Sequence, residues 1–357
     1  MIDIHFYMKF GEMKQKMLKE KIDISQQELF DALEEMRSQL PVVYNIETTN
    51  LCNMHCVMCP GPTKMTRPRV TMPMEVFEKI ITQIEPFSSI ELYKWEKFVE
   101  KYYNIHKNDM SENHFFTYII PKVIVLHGYG EPLLDPLIVE RVKRCTDLDI
   151  PSYFSCNPWN LKDINMGMKL FEAGLNYIKF HTDAADDFSI KQIRGKQADF
   201  SGSYKKILDL LKIKKENDYK TTVVVTMLDL NKSNQQEEFE KLKKKFEGED
   251  VYIYLKSQDQ LWFDQTGAKT KAIHWLEPCQ FPWSSMTIKS NGECAQCVED
   301  YNNEIILGDA KEQSLIEIWN SNKYYEFRWL HILMDKKVKC TQECDMKLVG
   351  EYIKNKT

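Results

Sequence analysis

The sequence predicts an α/β protein with a parallel sheet covered by helices, and three observations carry that prediction. Short β-rich runs alternate with amphipathic helical runs from residue 42 to 256. The β-rich runs are close to continuously apolar, the pattern of strands buried on both faces. Cysteines cluster where such a run ends, and the C-terminal edge of a parallel sheet is where α/β folds place their sites.

The strand candidates are VVYNIE (42–47), KVIVLHG (122–128), IPSYFSC (150–156), YIKFHTD (177–183), TTVVVTML (221–228) and VYIYLK (251–256). Helical patterns such as EVFEKIITQI, LIVERVKRC, KLFEAG and SYKKILDLLKIKK fall between most of them. Six strand–helix units suit either an open doubly wound sheet or a partial barrel, and periodicity does not separate the two.

Residues 1–40 read as an N-terminal helical extension. Ser25 and Glu28 form a capping box ahead of Leu29, Leu33, Met36 and Leu40 at helical spacing. It is either a helix packed on the main domain or a partner-binding arm. The span 87–120 is long for a connection between a helix and a strand. It reads as an insertion with a helix near 91–106, either covering the active site or decorating the surface. From about 266 the character changes. Asn291-Gly292 marks a hairpin turn, and SLIEIWNSNKYYEFRWLHILM reads as a helix. The domains are therefore 1–40, 41–265 and 266–357.

With 357 residues, 43% of them hydrophobic, the chain can build one large core and a smaller lobe. A net charge of −5 lacks the basic excess of a nucleic-acid footprint. No run approaches the roughly 20 apolar residues of a membrane helix. The first residues carry no apolar run followed by a small-residue cleavage site. The expectation is a cytoplasmic protein that binds neither nucleic acid nor membrane. In a reducing compartment, ten cysteines point to metal ligands or catalytic thiols rather than disulfides.

The first cluster, NIETTNLCNMHCVMCP, contains Cys52, Cys56 and Cys59. Three close thiolates suit three corners of an iron–sulfur cubane and leave the fourth iron open to a small molecule. Structural zinc needs four protein ligands, and only His55 lies nearby as a fourth. This Cys-x3-Cys-x2-Cys loop after the first strand resembles the radical S-adenosylmethionine (SAM) superfamily. The resemblance implies a partial (βα)6 TIM-like barrel. It also implies a [4Fe–4S] cluster held by Cys52, Cys56 and Cys59, with SAM bound through its amino-acid end to the open iron. An electron from that cluster would cleave SAM to a 5′-deoxyadenosyl radical that abstracts hydrogen from a substrate C–H bond. Met58 stands where relatives often carry an aromatic residue whose backbone meets adenine.

Further motifs match. LHGYGEPLLDP is similar to the Gly-Gly-Glu-Pro element that receives the SAM ammonium, with Gly128, Gly130 and Glu131 at the matching positions. A Rossmann phosphate loop is excluded by the missing third glycine and by Pro132. Asn157, at the end of FSCNPWNL, is a candidate contact for the SAM ribose or carboxylate. Cys156 beside it is either a hydrogen-atom donor facing the chamber or an inert buried thiol. Asp183 and Arg194, in HTDAADDFSIKQIRG, match a Ser-x-Asp and Ile-Arg-Gly pattern. Arg194 either forks onto the SAM carboxylate or braces a helix in an ion pair.

The C-terminal cysteines resemble the SPASM/twitch extension, which holds auxiliary [4Fe–4S] clusters. The fuller form carries more cysteines and a second auxiliary cluster. The five here fit the shorter form with one, ligated by Cys279, Cys297, Cys340 and Cys344. Cys294 is then a free thiol or a substitute for Cys297. A four-cysteine zinc site from 294/297 and 340/344 is the alternative.

The expected reaction is oxidation or epimerisation at a carbon of a sugar-like or aminocyclitol small molecule, with a flavodoxin- or ferredoxin-type reductant. The alternatives are a ribosomal-peptide maturase and a non-catalytic metal-cluster scaffold. His127, His181, Lys256 and Asp259 are candidate substrate contacts near strand ends.

Overall fold

A computed structural model describes residues 1–20, 24–230, 233–257 and 279–343. Asp259, Cys344 and the expected boundary at 265/266 lie outside the described residues. All six strand candidates form strands: β1 (Val43–Ile46), β2 (Ile124–Val125), β3 (Ser152–Cys156), β4 (Tyr177–His181), β5 (Thr222–Leu228) and β6 (Tyr252–Lys256). Each pairs in parallel with its sequence neighbour, and their order in the sheet runs β6-β5-β4-β3-β2-β1.

That order decides between the two architectures left open by periodicity. A doubly wound sheet reverses strand order at a switch point. Across β1 to β6 it never reverses, as in a TIM-like barrel. Side-chain parity agrees. Ile46, Ile124, Phe154, Ile178, Phe180, Val223 and Val225 pack in one core with the helical residues Phe77, Ile80, Val142, Leu170, Leu210 and Leu242. The alternate positions Val125, Tyr153, Val224 and Tyr254 belong to a separate core on the other face. The helices therefore lie on one face of the sheet, and the opposite face is the concave interior.

The sheet continues beyond β1. β7 (Met286–Ile288) pairs with β1 in parallel, and β8 (Glu293–Ala295) and β9 (Ile306–Asp309) follow antiparallel. Gly292 has φ +88° at the expected hairpin turn, where a side chain would be strained. The run expected as one C-terminal helix is two, Leu315–Trp319 and Asn322–Ile332. Ser321 interrupts it by accepting from Tyr324 N as an N-cap, a local bond that competes with helix continuation.

The N-terminal extension forms helices Ile4–Glu20 and Gln26–Met36, the second opened by the Ser25–Glu28 capping box. Phe6, Phe10, Phe30 and Leu33 pack with Trp95, Phe98 and Val99 of the insertion helix Ser89–Tyr103 and with Trp283 and Ile332. The extension is thus bound to the body of the protein. The rest of the insertion enters the concave face. Phe115 lies against Tyr153, Tyr252 and Tyr254, and Ile119, Ile120 and Val123 complete that core. Among the described residues, no helix is long and apolar enough to cross a membrane.

Candidate active site

The chain leaves β1 through Glu47, Thr48, Thr49 and Asn50, all buried, and enters the cysteine loop. Asn50 anchors that loop to the returning strap. Its side chain accepts from Val70 N at 2.6 Å and donates to Pro68 O at 2.7 Å. Arg69 donates to Asn50 O and Gly61 O, each at 2.7 Å. Cys59 N donates to Cys56 O at 3.1 Å, closing a turn that gathers the last two thiols. Gly61 N donates to Cys59 Sγ at 3.4 Å, an amide–sulfur bond of the kind that stabilises a cluster thiolate. Burial pushes the Cys59 thiol up to about 11, the Gly61 amide and the Arg194 charge opposing it and charge on Cys56 adding to it. Thiols so raised stay protonated until a cation supplies the compensating charge, which a cluster's irons do.

The Gly128–Glu131 loop crosses directly over this segment. Glu131 N donates to Leu51 O at 2.7 Å. A Cβ on Gly130 would lie 2.0 Å from Thr49 O, and one on Gly128 would lie 2.5 Å from Glu47 Oε1. Only glycine permits that approach. The Glu131 carboxylate is 1% exposed and accepts from Asn157 N (2.9 Å) and Nδ2 (2.6 Å) and from Leu133 N (3.2 Å). Burial raises its pKa, so the site favours a cation to restore its charge. The structure thus joins Glu131 and Asn157, one from each of two separate motifs.

Arg194 closes the site from the far side. Its Nε donates to Asp183 Oδ2 at 2.5 Å, and its Nη1 faces Cys56 Sγ at 3.5 Å and Asn157 Oδ1 at 3.4 Å. Asp183, at φ +37°, also accepts from Leu228 N at 2.8 Å. Arg194 therefore makes the ion pair that the sequence offered as one of two readings, its Nε and Nη2 both on Asp183 Oδ2, and only Nη1 faces the cysteine loop. Met58 is partly buried against the main core beside the loop.

Cys156 is 2% exposed and pairs in register with Phe180, on the face packed by helices. This is the inert-thiol placement and not that of a donor facing the chamber. Side chains of the opposite parity line the concave face. His127 Nδ1 accepts from Ser155 N at 3.2 Å, and burial followed by the Lys179 charge holds its pKa down to about 3. Lys179 is 5% exposed, its ammonium 5.1 Å from the Phe115 ring centroid and 5.5 Å from that of Tyr153. His181 Nδ1 lies 3.2 Å from Thr226 Oγ1, and Lys256 lies 3.9 Å from Glu112.

In the C-terminal region Cys294 is buried in the core, paired with Ile288 and Gly308 across the hairpin. Cys297 lies just past β8, and its sulfur accepts from Glu299 N at 3.5 Å. Cys340 Sγ faces His331 Nε2 at 3.6 Å and Gln296 Oε1 at 3.9 Å. Cys279 is half-buried ahead of the Phe281–Ser284 turn of helix. Among the described residues no three His, Cys, Asp or Glu side chains converge on a single-ion position. A cubane's ligands each bind a different iron and need no such convergence.

Sequence reasoning missed Glu47, Arg67, Tyr129 and Glu299. Glu47 is fully buried at the end of β1, and Arg67 forks onto both its oxygens. The unusual tyrosine between Gly128 and Gly130 was the available signal for Tyr129.

A run of six parallel strands, with three cysteines in its first β–α loop and a buried carboxylate over them, is the arrangement of an α/β protein with a candidate iron–sulfur site. The model of the Radical SAM superfamily matches residues 46–245, and the chain belongs to that superfamily. Residues 279–345 match SPASM, the iron–sulfur cluster-binding domain. The protein is thus a radical SAM enzyme using SAM, a SAM-binding [4Fe–4S] cluster and auxiliary iron–sulfur binding. Its fold is similar to that of BtrN, solved in complex with AdoMet and 2-DOIA, at 15% identity and TM-score 0.53, over 88% of this chain and 97% of that one. It is also similar to anSMEcpe with bound AdoMet, at 14% identity and TM-score 0.53, over 87% and 90% of the respective chains. Comparison with curated protein sequences finds no match.

Proposed function

We propose that the chain oxidises or epimerises a carbon of a sugar-like or aminocyclitol small molecule. One observation supports this reading most. The cysteine loop, the Glu131–Asn157 pair and the Asp183–Arg194 pair converge at the C-terminal edge of β1 to β4, above a concave face carrying polar side chains. Cys52, Cys56 and Cys59 would hold the SAM cluster, which supplies one-electron cleavage of SAM when bound. Glu131 would receive the SAM ammonium, and Asn157, which bonds Glu131, would orient it and reach the ribose or carboxylate. Gly128 and Gly130 let the loop approach, the Met58 backbone would meet the adenine, and Arg194, braced by Asp183, holds Nη1 near Cys56. Cys279, Cys297, Cys340 and Cys344 would hold one auxiliary cluster. The proposed domains are 1–40, 41–265 and 266–357, and the proposed reductant is a flavodoxin- or ferredoxin-type donor.

On the concave face, His127, Ser155, Lys179, His181 and Thr226 offer hydrogen bonds at closely spaced register positions, which suits a polyhydroxylated substrate. The likeness of fold to BtrN, solved with 2-DOIA, adds a small-molecule precedent. A peptide maturase is the second reading.

The test is anaerobic reconstitution with SAM and candidate aminocyclitols, sugars and peptides, scored by 5′-deoxyadenosine and by oxidised or inverted product. Product from peptides alone would replace the first reading with the second. No SAM cleavage with any substrate class would favour a metal-cluster scaffold.

A further inference from the structure

The Gly128–Glu131 loop and the segment that follows the cysteine loop are clamped to the lobe that carries Cys297 at three points. Glu47 accepts from Tyr129 N at 2.9 Å on one oxygen and from Ser290 N at 3.1 Å and Ser290 Oγ at 3.0 Å on the other. Thr66 N donates to Asn302 Oδ1 at 2.8 Å, and Asn302 Nδ2 donates back to Lys64 O at 3.2 Å. At the third point the Tyr129 phenol donates to Glu299 Oε2 at 2.5 Å. Glu299 N in turn donates to Cys297 Sγ. The Tyr129 carbonyl oxygen lies 3.6 Å from where a Cβ on Gly61 would sit, and Cys59 Sγ lies 3.3 Å from the same point. Tyr129 thus places its backbone beside the Cys59–Gly61 turn and bonds the Cys297 loop with its side chain.

We propose that Tyr129 is a positioning residue that, through Glu299, holds the Cys297 loop against the cysteine loop so that clusters bound by the two would exchange an electron. The proposal rests on Cys297 being an auxiliary-cluster ligand. The step it serves is the transfer of a single electron. One cluster is oxidised and the other reduced, no bond forms or breaks and no proton moves. The electron comes from an external one-electron reductant or from a bound substrate as it is oxidised. Tyr129 itself is neither oxidised nor reduced. Its phenol fixes a separation, and its ring is held under Lys289, whose ammonium lies 5.8 Å from the ring centroid and donates to Val298 O at 2.7 Å.

The test uses the full chain, reconstituted without oxygen, as wild type, Tyr129→Phe, Glu299→Gln, Glu299→Leu and Cys297→Ala. Iron per chain is measured first. Electron paramagnetic resonance of the reduced proteins then reads the magnetic interaction between the clusters. Proteins reduced with a limiting amount of photoreduced flavin are finally mixed with SAM, and 5′-deoxyadenosine formation is timed. Tyr129→Phe is expected to keep native iron, weaken the interaction and slow product formation by about tenfold or more, as loss of an outer partner of a metal ligand does. Glu299→Leu should match it, while Glu299→Gln, which keeps an acceptor oxygen, should stay near wild type. Native spectra and rates in both Tyr129→Phe and Glu299→Leu at native iron content would overturn the proposal. Native iron in Cys297→Ala would instead remove the ligand reading beneath it, a separate and distinguishable failure.

Discussion

Arg67 and Glu47 form a buried fork, Nη1 to Oε2 at 2.6 Å and Nη2 to Oε1 at 2.5 Å, with Arg67 Nε donating to Tyr301 O at 2.7 Å. The pair stands where the end of β1, the Gly128–Glu131 loop and the Ser290 turn meet. Removing one partner leaves an uncompensated buried charge, which costs about 3–5 kcal/mol. Arg67→Met is expected to lower stability by about that amount, read by denaturant unfolding. Glu47→Gln together with Arg67→Met should recover much of the loss.

The same pair sets a pH dependence. Burial acts to raise the Glu47 pKa and is the largest single influence, but the Arg67 charge and fork, the Lys289 charge and the Tyr129 amide together outweigh it and hold the carboxyl down to about 2, from an ordinary 4.5. A depressed folded pKa contributes stability above the unfolded value that is lost as pH falls through the folded one. The wild type should therefore lose this contribution between about pH 4.5 and 2. The double variant should lack that component, as thermal unfolding measured across the range would show. A parallel acid loss in both would refute the assignment.

Gly130 allows the loop to cross the Thr49 carbonyl. Gly130→Ala forces a 2.0 Å contact onto backbone, which has no flexible end to yield. The expected outcome is a loss of about 1–3 kcal/mol from overpacking, with SAM affinity reduced as Glu131 is displaced. Equilibrium dialysis with labelled SAM checks it. Gly61→Ala, with its nearest contact at 3.3 Å, should be milder.

Cys156 is a core residue by placement. Cys156→Ala should cost about 1 kcal/mol, near the centre for point substitutions, and leave SAM cleavage and product stereochemistry unchanged. Loss of inverted product with cleavage intact would return it to the chamber.

The insertion packs on part of the concave face through Phe115, which is fully buried. Phe115→Ala should cost about 3–5 kcal/mol. It should also raise the KM for substrate, because the Lys179 ammonium loses the ring it lies over. Thermal unfolding and steady-state kinetics separate the two effects.

Much of this protein was legible in its residues alone. The strands from 42 to 256, the Ser25 cap and the turn at Gly292 follow from local rules: apolar runs, a side chain bonding an end amide, a φ that only glycine adopts freely. The cysteine spacing already placed three thiols in one loop, because a short segment determines its own reach. What local rules do not contain is the partner that a chain brings from far away. Barrel or open sheet turned on strand order, which is a property of the whole sheet. The face occupied by Cys156 turned on register, since a shift of one residue would have placed it in the chamber. Arg67 meets Glu47 across 20 residues and Tyr129 meets Glu299 across 170. Such contacts depend on buried charges and hydroxyls finding partners once the core has formed, so the tertiary structure alone decided them.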